Sequence, residues 1–103
     1  AAKTAFQTAI EIDPNFATGY YNLGLTLKAM GNLTAAIAAY QKAIAINPHY
    51  AEAYQNLGVV LLKAGLITDS LAAFNRAIAL HEGQNPIAAK QLRQGLQDMG
   101  LIK

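Results

Sequence analysis

At 103 residues the chain has the size of one modest domain, and its 53% hydrophobic content, much of it alanine, favours closely packed helices over a sheet. Eight Lys and Arg stand singly against six acids for a net charge of +2, which excludes the basic cluster that tracks phosphates; the pI near 9.0 is a small excess in a lightly charged chain. Cysteine is absent, so there is neither a disulfide framework nor a thiolate metal site. No apolar run reaches membrane-spanning length and no signal peptide opens the chain, which points to a cytoplasmic setting without membrane insertion.

The chain starts inside a helical pattern without an initiator Met, and we read it as a piece of a longer protein. Residues 2–12 form the first expected helix, followed by Asp13-Pro14. A second is expected over 15–30, where Tyr20, Leu23, Leu27 and Met30 recur at three- and four-residue spacing and mark one apolar stripe. Gly31-Asn32 ends it, since Gly supplies a left-handed C-terminal cap, and Thr34 stands where the next N-terminus is expected. The third helix spans 33–46, with a stripe of Ile37, Tyr40, Ala43 and Ile44. Asn47-Pro48 stops it, because the residue before Pro is pushed out of helical dihedrals.

Residues 51–84 repeat this pattern at a fixed shift of 34, with 13 identities to residues 17–50 and no gap. Helices are therefore expected over 49–64 and 67–81. The same shift carries Phe6 onto Tyr40 and Phe74, so residues 1–16 read as the second half of an earlier unit. Gly24 and Gly58 fall in mid-helix, at a cost of about 1 kcal/mol each relative to Ala. Close contact with the partner helix of the same unit is the expected reason. The last helix, 86–99, opens on Asn85-Pro86 and carries the stripe Leu92, Leu96 and Met99. One extra residue restores its register with the unit before, although Arg93 then occupies the place of Gly58. We read 85–103 as a capping helix or as half of a degenerate repeat. Loops this short make sequential helices antiparallel.

The pattern resembles the tetratricopeptide repeat (TPR) family. The order aromatic, Leu-Gly, large, small, aromatic, Ala, Pro stands here as Tyr20, Leu23-Gly24, Leu27, Ala36, Tyr40, Ala43 and Pro48. The second copy gives Tyr54, Leu57-Gly58, Leu61, Ser70, Phe74 and Ala77, then departs with Glu82 in place of Pro. The resemblance implies an all-α, right-handed superhelix of stacked helix hairpins. It further implies a non-catalytic scaffold that binds a protein or peptide on its concave surface, lined by the first helix of each unit. By that resemblance the groove residues are Thr18, Tyr21, Asn22, Leu25, Lys28 and Ala29, with Glu52, Gln55, Asn56, Val59, Leu62 and Lys63 from the second unit. Periodicity agrees, because these positions lie off the Tyr-Leu-Leu stripe.

Asn22 and Asn56 stand one unit apart on this wall. A side-chain amide offers both donor and acceptor, so such a column suits the backbone of an extended peptide. Repeat arrays related to O-GlcNAc transferase carry a ladder of this kind, and an alternative reading is a substrate-recruiting segment of a larger glycosyltransferase-like enzyme. The family's carboxylate clamp of paired Lys and Asn is not matched: Tyr21 and Gln55 take the Lys places, and Leu25 and Val59 the Asn places. Lys28 and Lys63 are expected to be solvated near the ends of their helices, where they complement the dipole.

Little here suits catalysis. His49 and His81 are expected to face solvent at equivalent interhelix junctions, with no metal-ligand spacing around them. Glu11, Asp13, Glu52, Asp69, Glu82 and Asp98 are dispersed, and no pair suits acid–base work. No cofactor is expected. Asn32-Leu33-Thr34 matches a glycosylation triplet but reads as turn chemistry. Finally, helix 2–12 lacks the helix that would precede it, and 86–99 lacks one that would follow. Stacking of chains end to end through these segments would bury both stripes.

Overall fold

The computed structural model describes residues 16–103. Among these it shows five helices and no strand: α1 (Ala17–Ala29), α2 (Leu33–Ile46), α3 (Ala51–Lys63), α4 (Ile67–Gln84) and α5 (Pro86–Asp98). The expected helix 2–12, and the end-to-end contact built on it, lie outside the described residues. Each helix packs on the next, and α1 also touches α3. That last contact lines the first helices of two successive hairpins along one wall.

Helix ends follow local chemistry. Gly31, Gly65 and Gly100 have φ of 81°, 83° and 77°, the left-handed region that glycine enters without Cβ strain. At each, two backbone bonds close the preceding helix. Gly31 N–H donates to Lys28 O at 3.0 Å and Asn32 N–H to Leu27 O at 2.9 Å, and the same pair recurs at Gly65 and Gly100. The N-cap of α2 is Asn32, whose Oδ1 accepts from Ala35 N–H at 3.3 Å, and Thr34 follows as the second residue of the helix, near its N-terminus. Asn85 caps α5 in the same way, accepting from Ala88 N–H at 3.2 Å, with Pro86 in the first turn.

The packing rests on two glycines. A Cβ built on Gly24 would lie 2.5 Å from Tyr40 Cε1, and one on Gly58 would lie 2.8 Å from Phe74 Cδ1. Each ring of a second helix therefore presses against the bare backbone of the first. Around Tyr40 gather Ala36, Leu57, Val60, Leu61 and Ala73, while Phe74 joins Ile78, Ala89 and Leu96. Ser70, fully buried, adds a bond from its Oγ to Gly58 O at 2.7 Å. Met30 and Met99 depart from their expected stripes and are 73% and 58% exposed. Both are the C-cap residues that precede the turn glycine, so the chain leaves the helix where their side chains would have turned inward.

The second unit runs longer than the first. Pro48 lacks an N–H and restricts Asn47, so α2 ends at Ile46. Glu82 imposes neither limit, and α4 continues to Gln84, past the expected end at 81. His81, in register with Asn47, thereby stays helical and turns inward. It is 4% exposed and hydrogen-bonded through Nε2 to Gln55 Oε1 at 3.0 Å. The expectation of a solvent-facing His81 equivalent to His49 is corrected; His49 alone is exposed.

Two predictions follow from this core. Gly24→Ala and Gly58→Ala lower the melting temperature although alanine is the better helix former by about 1 kcal/mol, and the Leu variants cost about 1–3 kcal/mol by thermal or urea unfolding. Tyr40 carries a hydroxyl that is buried without a hydrogen-bond partner among the described residues, at the place where the next unit has Phe74. Burial, then the neighbouring Tyr21, pushes its ionisation up from 10.0 to about 12. A raised folded value means that this contribution to stability is present below pH 10 and lost as pH rises through 12. Tyr40→Phe is therefore expected to gain about 1 kcal/mol at neutral pH and to flatten the alkaline decline of the melting temperature.

Candidate functional site

The first helix of each hairpin places the expected groove residues, and the structure sorts them into two kinds. Thr18, Asn22, Ala29, Glu52 and Lys63 are exposed; Tyr21, Leu25, Lys28, Gln55, Asn56, Val59 and Leu62 are half-buried. The second set does not simply line a groove. Tyr21 and Leu25 pack against the cluster around Tyr40, and Val59 packs against the cluster around Phe74.

Tyr21 is anchored on both sides. Its ring centroid lies 5.9 Å from that of Tyr40 and 5.0 Å from that of Tyr50, both tilted. This leaves the hydroxyl at the wall, where it meets Asn56. Asn56 Nδ2 donates to Tyr21 Oη at 2.9 Å and to Glu52 O at 3.0 Å, while Lys28 Nζ donates to Asn56 Oδ1 at 2.9 Å. Both amide hydrogens and one oxygen lone pair of Asn56 are thus engaged inside the wall. Burial pushes the Tyr21 phenol up, Tyr50 and Glu52 add to the shift, and the Asn56 bond opposes it.

This bridge ties α1 to α3 and alters two expectations. Lys28 is not a freely solvated dipole partner; it reaches across to the next unit because Asn56 presents an acceptor there. Asn22 and Asn56 are not equivalent either. The Asn22 side chain is exposed, and its backbone oxygen accepts from Thr26 Oγ1 at 3.2 Å.

One unit further along, the bridge has no counterpart. The shift of 34 puts Gln55 at the place of Tyr21 and Leu62 at that of Lys28. Gln55 instead holds His81, and a cavity of about 280 Å³ opens between α3, α4 and α5. Val59, Phe74, Leu92, Leu96 and Met99 give it apolar walls, with Gln55 and Gln91 at its edge and Gly95 and Ala88 leaving the space. None of the α5 residues was expected to form part of the binding wall. Their apolar stripe read as core, but the small residues Ala88 and Gly95 beside it carried a signal of unfilled room. Beyond the cavity, Arg93 pairs with Glu82, and Leu101 and Ile102 pack on the Phe74 cluster.

The described residues hold no cluster of three His, Cys, Asp or Glu suited to a metal ion, and no described helix is long and apolar enough to cross a membrane.

A family model described as TPR repeat matches residues 26–65, and two described as tetratricopeptide repeat match residues 5–38 and 51–82. Among solved proteins, a crystal structure of MamA is 36% identical over 79% of this chain and 47% of its own, with a TM-score of 0.68. A second, of the MamA protein, is 37% identical over 77% of this chain and 43% of its own, with a TM-score of 0.64. The chain thus spans less than half the length of either. No curated protein matches it. The helix order and this similarity agree with the expected all-α superhelix of stacked hairpins.

The unequal asparagines give a direct test. Asn56→Ala removes three hydrogen bonds and is expected to cost about 1–2 kcal/mol in thermal unfolding, whereas Asn22→Ala stays within about 0.5 kcal/mol of the native chain.

Proposed function

We propose that this chain, which belongs to the tetratricopeptide repeat family, is a non-catalytic scaffold that takes a peptide segment of a protein partner along the wall formed by α1, α3 and α5. The observation that carries this reading is the cavity of about 280 Å³ beside Val59 and Leu92. This depression is open to solvent and mostly apolar, so a guest side chain can enter it from outside. A cavity of roughly 150 Å³ already accepts a benzene-sized group. The space beside α5 therefore suits one apolar side chain of an incoming peptide, with the exposed Thr18, Asn22 and Lys63 and the half-buried Leu62 meeting its flanks.

The parts of the wall have separate tasks in this reading. The Lys28–Asn56–Tyr21 bridge holds α1 and α3 at a set spacing, so the groove is pre-formed and the partner orders little on arrival. Asn22, exposed on the wall, supplies the amide for the partner's backbone. The helix α5 serves as a cap: Arg93 stands where a glycine would admit a following ring, and its pairing with Glu82 ties it to α4.

Gly95 allows a test that spares the fold. A Cβ there meets nothing within 4 Å, so Gly95→Leu fills the cavity and raises helix propensity at once. The expected outcome in a selection from displayed random peptides is that the native chain enriches sequences sharing an apolar residue. Gly95→Leu, melting no lower than the native chain, loses that enrichment. Equal enrichment by both chains would overturn the cavity as the anchor.

A further inference from the structure

We propose that Lys28 and Tyr21 form a binding site for the carboxylate of an acidic side chain, so that the segment taken by the wall carries an internal Asp or Glu beside its apolar anchor. This rests on the wall being the binding surface, and adds the chemistry of the partner.

The argument starts from the donors left over at the bridge. An ammonium has three hydrogens, and Lys28 uses one on Asn56. The Tyr21 hydroxyl accepts from Asn56 and keeps its own hydrogen to donate. Asn56 holds both groups through one rigid amide, one on its oxygen and the other on its nitrogen. Ammonium and phenol hydrogens thus flank one amide on a half-buried wall, and no described residue accepts them. A carboxylate, with two acceptor oxygens and one negative charge, does.

Charge agrees with this. The one ion pair among the described residues joins Arg93 to Glu82, away from Lys28. Glu52 is the acid beside Tyr21; it raises the Tyr21 ionisation but forms no ion pair with Lys28. Lys63 adds a second cation to the same wall, so Lys28, Lys63 and Glu52 together leave it positive. Partial burial makes the Lys28 charge worth more to a guest than that of a lysine in open solvent.

Among the described residues the site occurs once. Leu62 and Gln55 replace Lys28 and Tyr21 in the next unit, where the apolar cavity stands instead. One polar and one apolar subsite set the register and direction of a bound peptide, which a uniform wall does not. Of the Lys28 and Tyr21 pair, Tyr21 stands at one of the family's clamp positions and Lys28 does not, so the paired Lys and Asn that hold a chain end are not reproduced here. The acid in this proposal is a side chain within the segment.

The test uses the same random peptides, displayed through their C-termini so that none offers a free terminal carboxylate. They are selected on the native chain and on Lys28→Gln, which removes the charge and keeps an amide N–H on a side chain one atom shorter. The native chain is expected to enrich an acidic position and an apolar one. Lys28→Gln is expected to keep the apolar preference and lose the acidic one, with Lys28→Arg restoring it. A synthetic peptide chosen by the native chain then binds Lys28→Gln about tenfold more weakly. Changing its acid to the amide costs the same factor against the native chain and nothing against Lys28→Gln. Enriched peptides with no acidic position, or an acidic preference that survives in Lys28→Gln, would overturn this site and leave the scaffold reading standing. Failure of the native chain to enrich any peptide would overturn both.

Discussion

The two helices of each hairpin meet where the first of them has no side chain. Gly24 receives the Tyr40 ring and Gly58 the Phe74 ring, at distances that leave no room for even a methyl group. An aromatic ring pressed on bare backbone buries a large apolar area, which outweighs the roughly 1 kcal/mol that glycine costs in a helix. The contact also sets how near the two helices of a hairpin approach. Small buried residues, Ala36 and Ala43 with Ser70 and Ala77, suit that approach, and Leu57, Val60, Leu61, Ile78 and Leu96 fill the core around them.

Once the hairpins are fixed, their stacking decides the character of the wall. The two units share their core positions but, Asn22 and Asn56 apart, not the outward ones of their first helices. Between α1 and α3 the outward residues are Tyr21, Lys28 and Asn56, which close the gap with hydrogen bonds. Between α3 and α5 they are Gln55, Val59 and Gln91, with Gly95 too small to fill the space, and the gap remains as a cavity. A near-exact structural repeat thus presents two chemically different subsites, one polar and cationic, the other apolar. Repeat scaffolds conserve what each unit needs from its neighbour and leave the wall free to vary.

The end of the second unit shows how one residue propagates. Where Pro48 ends α2, Glu82 lets α4 run on, and His81 becomes a buried partner of Gln55. Gln84 then reaches His49 O at 2.9 Å and links the longer helix to the preceding loop. Arg93 of α5 pairs with the same Glu82. The exchange of a rigid imino acid for an acidic residue lengthens a helix, buries a histidine and anchors the last helix.

Helix type, order and approximate ends were legible in the residues alone, because spacing of apolar positions, turn glycines and prolines acts over a few residues. So was the reason for Gly24 and Gly58, since a glycine kept in mid-helix in both units calls for a close neighbour. Other features needed the folded chain. Whether Asn32 or Thr34 caps α2 depends on where the preceding glycine turn releases the backbone. Lys28 is twenty-eight residues from Asn56, and Gln55 twenty-six from His81. No local pattern says that such pairs meet. The sequence by itself determined a stack of helix hairpins with glycine–aromatic seams, for that information is periodic and short-range. Only the tertiary structure decided which wall residues bind one another and which stay open to a partner, because that depends on side chains brought together across neighbouring units.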